Sequence, residues 1–189
     1  MSTAFGQSTV LGYPRIGGNR ELKKAVEAYW AGRIDAAALD ETAAGLRAEV
    51  WQTQRNARLE AIPSNTFSYY DHVLDTAVAV GTVPARFARL GLSDLDTYFA
   101  MARGVDAEPA LELTKWFDTN YHYLVPEIDA DTAFTANPVK ALGEIAEAGA
   151  LVVYAALNTL ALQLSTTVFN GDPVVSATAS GPAPATRTS

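Results

Sequence analysis

The stretch "LGYPRIGGNRELKKAVEAYW", Leu11–Trp30, holds most of a strand–loop–helix unit. Its first residues complete a short apolar run, Thr9 to Gly12, that reads as a buried strand. Tyr13 to Asn19 reads as a loop, with Pro14, Gly17 and Gly18 breaking any regular element. Asn19 is a favourable N-cap. Leu22, Ala25, Val26, Tyr29 and Trp30 then recur at i, i+3, i+4, i+7 and i+8, one apolar face of a helix. Gly32 stands where a left-handed C′ residue ends a helix. The charges are out of place. A helix N-terminus carries partial positive charge and attracts Asp or Glu, yet Arg20, Lys23 and Lys24 crowd this one.

Two readings of those cations stand. A glycine loop leading into a helix presents backbone N–H groups to an anion, and basic side chains in the first turn would add charge for a phosphate or several carboxylates. Alternatively they are solvated surface charges. Lys23 has Glu27 at i+4, but Lys24 faces Ala28, so pairing explains only part of the pattern.

Outward from this unit, Asp35 to about Asn56 reads as a longer helix striped by Leu39, Leu46 and Val50. "AIPSNTFS" reads as a strand then a loop, and Tyr69 to Val80 as a helix with Tyr70, Val73, Leu74, Ala77 and Val78 inward, closed by Gly81. A short helix is expected over Asp94–Ala102, an alternating strand over Leu111–Phe117, a polar aromatic loop at "DTNYHYLVPEI", and a helix over Pro138–Gly149. A further strand is expected within "ALVVYAAL". Strands alternating with helices predict α/β units on a parallel sheet. Beyond Ser165 the chain is rich in Ser, Thr, Ala and Pro and cannot bury enough to order itself. The expected division is residues 1–165 as the folded part and 166–189 as a disordered tail.

Bulk properties narrow the function. The 189 residues are 49% hydrophobic and 19% charged, enough for one globular core. A net charge of -7 argues against broad nucleic-acid binding. The absence of Cys excludes disulfides and thiolate zinc sites and suits a cytoplasmic home. The N-terminus lacks the basic and apolar regions of a signal peptide. The apolar stretch from Gly149 is broken by Asn158 and Thr159, short of the ~18 residues a spanning helix needs. Asp71, His72 and Asp75 cluster in "YYDHVLD", but one His and two carboxylates at this spacing are a thin metal set. They read better as residues that orient a loop or a domain contact. His122 reads as a structural histidine.

Four motifs, "LGYPRIGGNRELKKAVEAYWAG", "NTFSYYDHVLDTAV", "LDTYFAMARG" and "LELTKWFDTNYHYLVPE", occur in this order. Together they resemble the N-terminal barrel of the cobalamin-independent methionine synthases, from about Thr9 to Glu127 and more weakly to Gly149. The resemblance implies an α/β fold, a partial TIM-type (βα)8 barrel made of the N-terminal βα units. It implies a family reaction in which a methyl group passes from 5-methyltetrahydropteroyltri-L-glutamate to homocysteine. In the family, "RELK" and the Lys of "TKWFDTNYHY" contact the folate; the matching positions are Arg20, Glu21, Leu22, Lys23 and Lys115. The first-turn cations then look like a clamp for the polyglutamate carboxylates. Arg15, in "PRIG", is a further candidate, with loop anchoring through carbonyls as its alternative.

A complete barrel takes ~250 residues. The family's zinc and homocysteine belong to a C-terminal barrel, and no cofactor is expected on this chain. The expectation is a truncated relative, from a broken gene or a C-terminal frameshift, that does not turn over alone. Self-association through the open barrel edge is expected as well. The alternatives are a non-catalytic folate-binding or protein-interaction module, or a non-functional product.

Overall fold

The computed structural model describes residues 8–149 and 154–155. Among the described residues ten elements follow one another: α1 (Glu21–Trp30), α2 (Ala36–Asn56), β1 (Pro63–Ser64), α3 (His72–Ala79), α4 (Ala85–Ala88), α5 (Asp94–Arg103), β2 (Leu113–Lys115), β3 (His122–Leu124), α6 (Val139–Ala148) and β4 (Tyr154–Ala155). The chain is therefore α/β. β1 pairs in parallel with β4, Pro63 opposite Tyr154 and Ser64 opposite Ala155. β2 and β3 form an antiparallel hairpin, with Lys115 opposite His122.

Capping sets the helix limits. Asp35 accepts a hydrogen bond from Ala38 N–H at 2.9 Å and starts α2. Asp71 accepts from Leu74 N–H at 2.8 Å and starts α3, and the Ser93 hydroxyl accepts from Asp96 N–H to start α5. α1 ends in a Schellman turn. Arg33 N–H reaches Ala28 C=O and Gly32 N–H reaches Tyr29 C=O, with Gly32 at φ 65°.

One core joins the elements from α1 to β3. Leu22 and Val26 of α1 pack with Leu39, Ala43 and Leu46 of α2, then with Phe67, Leu74, Phe87, Phe99 and Met101, and finally with Leu111 and Leu124 at the hairpin's root. A smaller cluster of Trp51, Ile62 and Ala148 seats α6 on α2. Trp51 also donates its indole N–H to Pro63 C=O at 3.3 Å, which fixes β1 against α2.

Several expectations need correction. Thr9–Gly12 is not a strand. Leu11 is 84% exposed, and the neighbouring Ser8 C=O accepts from Glu60 and Ala61 N–H. Arg20, not Asn19, is the N-cap of α1. Tyr69 and Tyr70 precede α3, because the Asp71 cap delays its start. The polar aromatic loop contains β3, in which His122 is exposed while Tyr123 and Leu124 are buried. Helix α4 had no sequence signal of its own beyond Pro84 at its start. The expected tail from residue 166 lies outside the described residues.

Candidate functional site

The loop before α1 is locked by Glu21. Its carboxylate accepts from Asn19 N–H at 2.9 Å and from Asn19 Nδ2 at 3.1 Å. With its own backbone N–H also donating, the Glu21 carboxyl lies below the usual range. Gly17 is required here. It has φ 83°, and a Cβ would stand 2.1 Å from Glu21 Oε2 and 2.9 Å from Leu46 Cδ2. Leu22 N–H donates to Ile16 C=O at 3.1 Å. The open backbone anion site expected at this helix start is thus largely occupied from within. What remains for a ligand is the side chains.

Arg20 adopts φ 64°, ψ 37°, the left-handed region, at the N-cap. Its side chain is exposed and meets no carboxylate among the described residues. A non-glycine residue there costs about 1–2 kcal/mol. Lys23 pairs with Glu27 at 3.4 Å, both half exposed, a contact weak enough to exchange. Leu22 is the counter-case, because its side chain is buried in the core. It supports the turn from within, its backbone N–H being taken by Ile16 C=O. Arg15 does anchor a loop: Nε donates to Ser68 C=O at 2.8 Å and Nη2 to Tyr70 C=O at 2.7 Å. A groove of about 280 Å³ beside this loop is lined by Tyr13, Arg15, Gly17, Gly18, Leu46 and Glu49 among others. Its one cation, Arg15, is spent on those carbonyls, so the groove is no anion site.

Lys115 ends β2, exposed, without an ion-pair partner among the described residues. The turn beyond it is ordered by Thr119, whose hydroxyl donates to Trp116 C=O and accepts from Tyr121 N–H. No hydrogen bond or ion pair links Lys115 to the α1 turn among the described residues. The two stand on elements rooted in the same core, through Leu22 and Leu124.

A second polar cluster lies under α3. Tyr98 donates its hydroxyl to Asp75 Oδ1 at 2.7 Å and lies 3.3 Å from the Ser68 hydroxyl. Lys140 reaches in from α6: Nζ donates to Asn65 Oδ1 at 2.9 Å and pairs with Glu144 at 2.8 Å and Asp75 at 3.6 Å. Burial pushes Asp75 up to about 6, while Lys140 and Tyr98 pull it back. Burial also lowers His72 to about 4, helped by Arg15 and Lys140, and raises Asp71. Asp75, Tyr98, Ser68 and Lys140 hold a helix, a loop and a neighbouring helix together, and Asp71 caps α3. The contribution of Tyr98 and Lys140 was not legible in the sequence, since neither is near Asp75 in the chain. Among the described residues, no three of His, Asp and Glu stand close enough to hold a metal ion, and no helix is long and apolar enough to cross a membrane.

The family described as "Cobalamin-independent synthase, N-terminal domain" matches residues 7–160. Relatives named 5-methyltetrahydropteroyltriglutamate–homocysteine methyltransferase are similar over most of this chain. The one from Rhodococcus jostii is 61% identical over 144 residues, 76% of this chain and 19% of its own length. The one from Streptomyces avermitilis is 55% identical over 151 residues, 79% of this chain and 20% of its own. The one from Mycobacterium leprae is 55% identical over 148 residues, 78% and 19%. The chain thus spans about a fifth of the length of the curated relatives it matches. With four motifs in order, an α/β core and a matching profile across most of its length, the chain belongs to the cobalamin-independent methionine synthase family, through the N-terminal domain.

Proposed function

We propose that this chain binds the glutamate tail of a folate, as the part of a cobalamin-independent methionine synthase that holds 5-methyltetrahydropteroyltriglutamate while a methyl group passes to homocysteine. The observation that carries this reading is Arg20. It is an exposed arginine held in a left-handed backbone at a helix start, with no carboxylate partner among the described residues. Such strain persists where surrounding structure enforces it, commonly at functional sites. Gly17 and the Glu21–Asn19 lock supply that enforcement. Arg20 can fork two hydrogen bonds onto one carboxylate, and Lys23 and Lys115 act as mobile point charges.

The elements are read as the opening units of a (βα)8-type barrel. The parallel pairing of β1 with β4 supports this, and the α1 turn would then lie at the carboxyl end of the strands. Zinc, which the family uses on homocysteine, does not fit this chain's donors. There is no Cys, and the two His are His72, half-buried at the start of α3, and His122, on the hairpin. The chain's own contribution is therefore binding and orientation.

Alanine substitution tests the reading. Lys23→Ala and Lys115→Ala should each weaken pteroyltriglutamate binding by up to about fivefold, the ceiling for an exposed pair. Pteroylmonoglutamate binding should change less. Titration calorimetry reads both. Equal losses for the two ligands would mean that these lysines do not read the tail.

A further inference from the structure

The hairpin places a second basic group beside Lys115. Lys115 and His122 are directly opposed in the β2–β3 register. Opposed residues in an antiparallel pair share a face, with Cβ atoms about 4.5–5.5 Å apart. Both side chains are exposed, and neither has a hydrogen-bond or ion-pair partner among the described residues. A lysine and a histidine on one exposed face, with no carboxylate between them, together present N–H donors to an anion. The turn beyond the pair is strained and exposed as well. Phe117 holds φ 50°, an outlier for a bulky residue, and is 61% exposed, and Tyr121 is 78% exposed.

We infer that His122 is a specificity-determining residue that, with Lys115, takes carboxylates of an anionic γ-glutamyl chain on the exposed face of the hairpin. The inference rests on the polyglutamate reading of Lys115 and adds to it a residue that reads as merely structural in the sequence. Lys115 supplies a fixed charge, and the imidazole supplies a directional N–H donor.

The test measures binding of pteroyltriglutamate and pteroylmonoglutamate to the full chain, to His122→Ala, to His122→Lys, to Lys115→Ala and to the double variant Lys115→Ala/His122→Ala. His122 is exposed, so these changes leave the core intact, and circular dichroism checks that. His122→Ala is expected to lower triglutamate affinity about threefold, in the range of one exposed charged contact, and to leave monoglutamate affinity within twofold. His122→Lys should retain the triglutamate preference. The double variant should lose less than the product of the two single losses, because the pair shares a ligand. If the unsubstituted chain shows no preference for triglutamate, the polyglutamate reading fails and His122 with it. If the chain prefers triglutamate and Lys115→Ala abolishes that preference while His122→Ala does not change it, the His122 inference alone is overturned.

Discussion

In the proposed function, the turn of Gly17 and Arg20 serves folding and binding through different atoms. The left-handed backbone at Arg20 is disfavoured for any residue with a Cβ, so Arg20→Gly relieves strain while adding freedom to the unfolded chain. The two effects nearly offset, and stability should change by less than about 1 kcal/mol. Affinity for pteroyltriglutamate should fall all the same, because the guanidinium is gone. Urea unfolding and calorimetry on one variant separate the two. A large loss of stability would show that the Arg20 side chain is structural. Gly17→Ala is the opposite case. Its Cβ would collide with the Glu21 carboxylate and crowd Leu46, at a position with φ 83°. Unfolding should reveal a loss of about 1–3 kcal/mol, and an unchanged midpoint would contradict the proposed lock.

At the scale of elements, α3 carries an ionisable pair whose pH dependences oppose each other. Asp75 has its folded value raised from 3.8 to about 6. As pH rises through that window the unfolded chain loses its proton first, so the stability Asp75 contributes is lost. His72 has its folded value lowered from 6.5 to about 4. As pH falls through that window the unfolded chain gains its proton first, so stability is lost in the other direction. Each shift corresponds to roughly 3 kcal/mol at full extent. Near pH 5 the folded pair carries one proton on Asp75 and the unfolded pair one on His72, so unfolding takes up almost none. Asp71, raised in the same direction as Asp75, tilts the balance slightly its way. Removing one member should expose the other. Relative to the unsubstituted chain, Asp75→Asn should lose stability on acidification from pH 6.5 to 4, and His72→Gln should lose it as pH rises from 4 to 6. Urea midpoints across this range read both slopes, and parallel profiles for the two variants would rule the compensation out. Lys140→Met should raise Asp75 further, since Lys140 is the cation that lowers it.

Helices were more legible in the sequence than strands, for a physical reason. The face Leu22, Val26, Tyr29 and Trp30 and the caps at Asp35 and Gly32 are local signals, and α1 and α2 follow them closely. A strand of two or three residues, such as Pro63–Ser64, has no period to detect, and its existence depends on Tyr154 and Ala155 about ninety residues away. The hairpin was half seen: alternation marked Leu113–Lys115, but aromatic residues in the return strand obscured its pairing. The cations of the candidate site were visible as charges in the wrong place. The Asp75–Lys140 contact was not, because it joins α3 to α6 across the fold.

For the whole molecule, the main core is complete through the hairpin, but α6 sits differently. It is fastened by Arg47 to Glu147 at 2.8 Å and by the Lys140 contacts, while Val139 and Leu142 are 74% and 59% exposed. Apolar helix faces and short unclosed sheets promote association. Light scattering on the isolated chain should find oligomers. A monomer at all accessible concentrations would mean that these faces are covered or harmless.

The central claim is that this domain reads the carboxylates of a folate tail. Its most direct test is calorimetric titration of the unsubstituted chain with pteroylmonoglutamate and pteroyltriglutamate at low and at physiological salt. The account predicts tighter binding of the triglutamate and a preference that shrinks as salt rises, since exposed charges are screened over ~8 Å at physiological ionic strength. Equal affinities for the two ligands, or a preference indifferent to salt, would contradict it.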